Sequence, residues 1–152
     1  MTSGIVFFAL VMLAALSGSR FKPGSWYEQI NKPDWTPAPW VFPVVWSILY
    51  LMIALSGWLV WQAAGAGLAI LLWGIQLVLN ASWSWQFFGM HRIGTGLVII
   101  SAMLVTIIAY IIVSWPISSP AALLFIPYGI WVSIAAKLNF DILKLNRGDA
   151  VR

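Results

Sequence analysis

The chain has 152 residues, of which 62% are hydrophobic and 8% charged, with a net charge of +4 and no cysteine. Twelve formal charges, eight basic and four acidic, cannot cover a water-soluble fold, which ordinarily carries about 25% charged residues. The absence of cysteine removes disulfides and thiolate chemistry, and the few scattered basic residues do not form the dense patch that a nucleic-acid surface requires.

No Asp, Glu, Lys or Arg occurs between Asp34 and Arg92, or between Arg92 and Lys137. A helix needs roughly 20 residues to cross a hydrocarbon core, and turn signals divide these stretches further. The expectation is an all-α integral membrane protein, one transmembrane domain over 1–152, with five spans at about 4–19, 40–62, 67–88, 94–115 and 120–143. The first run ends in small residues like a signal peptide, but no Lys or Arg precedes it, so it reads as a retained helix. The loop over 20–39 is the one long connection, rich in proline and tryptophan, and the remaining links are short, making sequential helices antiparallel neighbours. Pro120 suits the first turn of the last helix.

Five spans place the long loop, the link holding Arg92 and the C-terminal tail on one side, together with all eight basic residues. The positive-inside rule makes that side cytoplasmic, with the N-terminus outside. Which membrane holds the protein is left open.

Polar groups inside a bilayer need a partner or a purpose. On the third span Trp73, Gln76, Asn80, Trp83, Ser84 and Phe87 share one face; Trp46, Tyr50 and Gly57 do so on the second, and Tyr128, Trp131, Ala135 and Asn139 on the fifth. Aromatic stripes with a few neutral hydrogen-bonding groups suit a flat hydrophobic ligand, and they suit helix–helix packing equally. Trp26, Trp35, Trp40, Trp58, Trp61 and Trp115 fall near span ends and read as an interfacial belt. His91 reads as a solvated loop residue without a second metal ligand nearby, Glu28, Asp34 and Asp149 as interfacial, and Lys137 with Asp141 as an i,i+4 pair. No nucleophile–base pair or carboxylate dyad can be assembled, and the lack of ionisable groups at mid-depth argues against proton-coupled transport.

The stretch from Trp26 to Pro37 (WYEQINKPDWTP), continuing from Trp40 to Tyr50 (WVFPVVWSILY), resembles the signature of the TspO/MBR family, the tryptophan-rich sensory and translocator proteins. Asn80-Ala81-Ser82-Trp83, Phe87-Phe88-Gly89, Pro127-Tyr128-Gly129-Ile130-Trp131 and Leu138-Asn139-Phe140 are similar to its later motifs, in order. The resemblance implies a five-helix bundle, commonly a homodimer among membrane lipids, that needs no cofactor and binds porphyrins such as protoporphyrin IX and haem, with cholesterol or benzodiazepine-type ligands in many members. It places Tyr27, Trp46, Asn80, Trp83, Trp131 and Ala135 at pocket positions, with Tyr27 on a loop acting as a lid. Tyr50, Gln76, Phe87 and Tyr128 join them from the stripes. The sterol pattern of animal members requires a tyrosine where this chain has Phe140 before Lys144, so sterol binding has little support.

The leading expectation is therefore a tetrapyrrole-binding sensor or receptor, with Arg20, Lys22 or Lys32 meeting the propionates. One alternative is light- and oxygen-dependent porphyrin degradation involving Trp46 and Trp131, the positions that match those implicated in the family. The other is facilitated movement of a lipophilic molecule.

Overall fold

A computed structural model describes residues 2–148. Asp149, read above as interfacial, and Arg152, one of the basic residues expected on the cytoplasmic side, lie outside them. The elements are helices α1 (Thr2–Arg20), α2 (Ser25–Gln29), α3 (Val41–Ala64), α4 (Leu68–Ser84), α5 (Ile93–Ser114) and α6 (Ser119–Asn146), and α4 runs on into a π-helical turn over Trp85–Gly89. Five of these, counting α4 with its π-turn as one, are long and apolar enough to cross a membrane.

Local chemistry marks the ends. Ser118 caps α6 by accepting from the Ala121 N–H, and Pro120 occupies its first turn, where the missing N–H costs nothing. At the end of α3, Gly65 takes φ 64° while its N–H returns to the Trp61 carbonyl at 2.8 Å, a left-handed stop that favours glycine. The proline-rich loop hides α2, five residues too short to show a helical period, with Tyr27 as its buried residue.

The long helices form a closed ring in the order α1, α3, α6, α5, α4. Although a short link joins α3 to α4, these two pack less closely than the other neighbours, because α1 contacts both. Ile53, Met103, Ile107, Tyr110 and Phe125 fill the centre, while Ile5, Leu13, Leu51, Val78, Val98, Val105 and Ile112 point outward as an apolar coat. With no water in the hydrocarbon, polar groups must find partners inside the ring. Thus Ser56 Oγ donates to the Ala121 carbonyl at 2.8 Å and lies 2.7 Å from the Tyr110 hydroxyl, tying α3 to α5 and α6.

The presumed belt divides. Trp40 is 69% exposed and Trp115 51%, as interfacial anchors should be. Trp26 and Trp58 instead pack against the core.

Candidate functional site

The π-turn shapes the site. The Met90 N–H reaches the Trp85 carbonyl at 2.9 Å, five residues back, and Arg92 N–H reaches Gln86. One extra residue in the turn directs both Phe87 and Phe88 toward the bundle and leaves Trp85 46% exposed. Their rings lie 4.8 Å apart, and Trp83 lies 5.6 Å from each. From above, Tyr27 of α2 closes on them edge-to-face, at 5.5 Å from Phe88 and 6.3 Å from Phe87. Ala135, Leu138, Asn139 and Ile142 of α6 and Phe42 of α3 complete the walls.

The cavity among these side chains measures about 10 Å³, at the lower limit for holding a single water. The aromatic side chains around it are in mutual contact. Its lining includes Asn139, whose Oδ1 accepts from the Trp83 indole at 3.1 Å and whose Nδ2 donates to the Ile93 carbonyl at 2.9 Å. Burial pushes the Tyr27 phenol up to about 12, so it stays neutral under ordinary conditions.

The α2 segment and the loop after it are fastened by polar contacts. The Lys32 ammonium donates to the carbonyls of Tyr27, Glu28 and Ile30, capping the end of α2, and sits 4.8 Å from the Tyr27 ring. Asn31 and Asn146 exchange two hydrogen bonds. The Trp35 indole donates to Asp141 at 3.1 Å, beside the Lys137–Asp141 ion pair of 2.6 Å that the i,i+4 spacing anticipates. His91 is exposed as expected, yet its ring stacks on Trp26 of α2 at 4.3 Å, with its own backbone at φ 57°.

The expected ligand residues separate into two layers. Tyr27, Trp83, Phe87 and Ala135 lie together at the cavity. Deeper in the bundle, Tyr50 donates to Asn80 Oδ1 at 2.9 Å, Asn80 Nδ2 donates to the Tyr128 hydroxyl at 3.1 Å, and that hydroxyl donates to Gln76 Oε1 at 2.8 Å. Gln76 in turn donates to the Trp73 carbonyl. Trp46 stacks on Tyr50 at 5.4 Å and meets Tyr128 edge-on. These polar residues satisfy one another and join α3, α4 and α6 as the floor of the site, and they do not line the cavity. Trp131 touches Phe42 edge-to-face at 5.7 Å.

Phe42, Phe88, Leu138 and Ile142 are wall residues that the stripes did not single out. Leu138 and Ile142 continue the face of Ala135 and Asn139 at helical spacing. Phe42 precedes Trp46 by one turn. Nothing in the periodicity indicates Phe88, since only the π-turn brings it inward.

The TspO/MBR family model matches residues 5–145. The chain is 37% identical to the Tryptophan-rich sensory protein of Cereibacter sphaeroides, across 93% of this chain and 90% of that one. It is 34% identical to Protein CrtK of Rhodobacter capsulatus, across 95% and 92%, and 33% identical to the human Translocator protein, across 90% and 85%. Five membrane-length apolar helices and these matches make it an integral, multi-pass membrane protein. It belongs to the TspO/MBR family.

Proposed function

We propose that this protein is a membrane sensor or receptor for a flat, lipophilic ligand of the tetrapyrrole class, held between Trp83, Ala135 and the Phe42–Trp131 pair beneath the α2 lid. The observation that carries the reading is the convergence of aromatic rings from the lid, α3 and the α4 π-turn on the small side chain of Ala135. Planar rings supply contact area by stacking, and Ala135 leaves room for a ring edge. The names of the relatives, sensory and translocator proteins, are consistent with a receptor role.

Binding requires opening. A cavity of about 10 Å³ admits a tetrapyrrole only after Tyr27 lifts and Phe88 turns aside, so occupancy and lid position are coupled, and the coupling is the signal. Arg20 and Lys22, which take part in no ion pair among the described residues, lie in sequence at the lid's approach and would meet propionates, with Lys32 joining once it leaves the α2 carbonyls. On this reading the lid faces the cytoplasm, the side to which the positive-inside rule assigns the basic residues.

Titrating protoporphyrin IX against tryptophan fluorescence in lipid nanodiscs tests the proposal. Saturable quenching is expected, weakened by about tenfold or more in Ala135→Phe, because overfilling a packed site costs about 1–3 kcal/mol. Non-saturable quenching, or unchanged affinity in that variant, contradicts it.

A further inference from the structure

A second space lies on the seam between α3 and α6. It is an apolar cleft of about 290 Å³ on the outer face, walled by Val45, Ile48 and Met52 of α3 and by Pro127, Ile130 and Trp131 of α6. Phe42 lines the inner cavity, Trp131 lines this cleft, and their rings touch. One aromatic pair thus stands between the narrow inner cavity and a wider cleft on the outer face.

Trp131 is poorly settled in that position. The indole N–H groups of Trp35, Trp73 and Trp83 all donate to acceptors within the protein. Those of Trp131 and Trp58 are buried without one, and of the two Trp131 lines the cleft. An orphaned buried donor carries a free-energy penalty, so the closed position of this ring is held by packing alone. One turn earlier stands Pro127, inside α6, with no N–H to give the Leu123 carbonyl. The helix is therefore weakened where the cleft begins.

We propose that the seam between α3 and α6 is a lateral gate, with Trp131 and Phe42 as its leaves, through which a lipophilic ligand bearing a hydrogen-bond acceptor enters the inner cavity from the hydrocarbon of the bilayer. The inference rests on the binding reading above and adds the route. A ligand already dissolved in the membrane reaches the cleft without crossing the polar fastenings of the lid. As the Trp131 ring swings, its N–H finds on the ligand the acceptor that the protein withholds, which offsets the cost of parting the two rings. Entry and the relief of an unsatisfied donor are then one event.

The test uses the full chain in nanodiscs with protoporphyrin IX as the probe, supplied from preloaded lipid vesicles and followed by the rate of tryptophan quenching. Because the chain has no cysteine, Val45→Cys with Ile134→Cys provides a single thiol pair across the cleft, to be bridged by a short bifunctional reagent. The bridged protein should associate about tenfold more slowly or worse, with the equilibrium constant within about twofold of the unbridged form, since a gate changes rates rather than the bound state. Ile134→Trp, which fills the cleft without thiol chemistry, should slow association in the same way. An unchanged rate in both, with affinity intact, overturns the gate and leaves entry beneath the lid. Absence of saturable quenching in the unbridged protein overturns the binding reading, and the gate with it.

Discussion

Asn31 and Asn146 hold each other by a reciprocal pair of hydrogen bonds: the Asn31 N–H donates to Asn146 Oδ1 at 3.1 Å, and Asn146 Nδ2 donates to the Asn31 carbonyl at 2.9 Å. Residues 115 apart in sequence are thereby locked, and the lid loop is tied to the end of α6. Each bond is exposed and contributes about 0.5–1.5 kcal/mol net, which suits a latch that must release. Asn146→Ala should leave thermal unfolding nearly unchanged while a spin label on the lid shows a larger open population. An unaltered label distance distribution would mean that this pair does not hold the loop closed.

The Tyr128 hydroxyl is the node of the buried floor, accepting from Asn80 and donating to Gln76. Tyr128→Phe strands both amides at once, at about 1–3 kcal/mol for each unsatisfied group. Interhelical bonds in membranes run weaker, about 0.6 kcal/mol on average, so a loss near 2 kcal/mol is expected in a denaturant titration of the purified protein. A loss below half of that would mean that water or a shifted side chain replaces the hydroxyl.

At Gly57 the backbone of α3 comes so close to its neighbours that a Cβ would stand 2.5 Å from Trp73 Nε1 and 2.8 Å from Phe7 Cδ1. Trp73 cannot yield easily, because that nitrogen donates to the Ile53 carbonyl at 2.9 Å. Gly57→Ala should therefore destabilise the α1/α3/α4 contact by about 1–3 kcal/mol, the usual cost of overpacking, read as a lowered unfolding midpoint. A wild-type midpoint would show that α1 can move outward at no cost.

Alkaline pH should open the lid. Burial raises the Tyr27 phenol from 10.0 to about 12. A group whose pKa is higher in the docked state favours docking fully below pH 10 and loses that contribution as the pH rises through about 12. The spin-labelled lid should therefore open across that range in the wild type and open less in Tyr27→Phe, which has no proton to lose. Identical profiles for the two would assign the transition to another group.

Much of this was legible in the sequence, and the limits have physical causes. The charge-free stretches indicate the five-helix bundle, because burial in lipid leaves helices as the economical backbone. The 3.6-residue aromatic stripes place Trp83 and Phe87 on one face of the third span and Ala135 on one face of the fifth, but only the fold brings those faces together. The stripes do not distinguish a group that waits for a ligand from one already satisfied, so Gln76, Asn80, Tyr50 and Tyr128 look the same as lining residues until their partners are known. The π-turn inserts a residue out of period, which conceals Phe88. Helix α2 is too short for any period, and the interior packing of Trp26 and Trp58 depends on neighbours distant in sequence.

A structure of the protein with protoporphyrin IX bound in a lipid bilayer would show directly where the ring sits. Ring-shaped density is expected between Trp83, Ala135 and the Phe42–Trp131 pair, with Phe88 turned away and Tyr27 lifted, and with the Tyr50–Asn80–Tyr128–Gln76 floor intact. Density confined to the outer surface, over an aromatic cluster that remains closed, would contradict it.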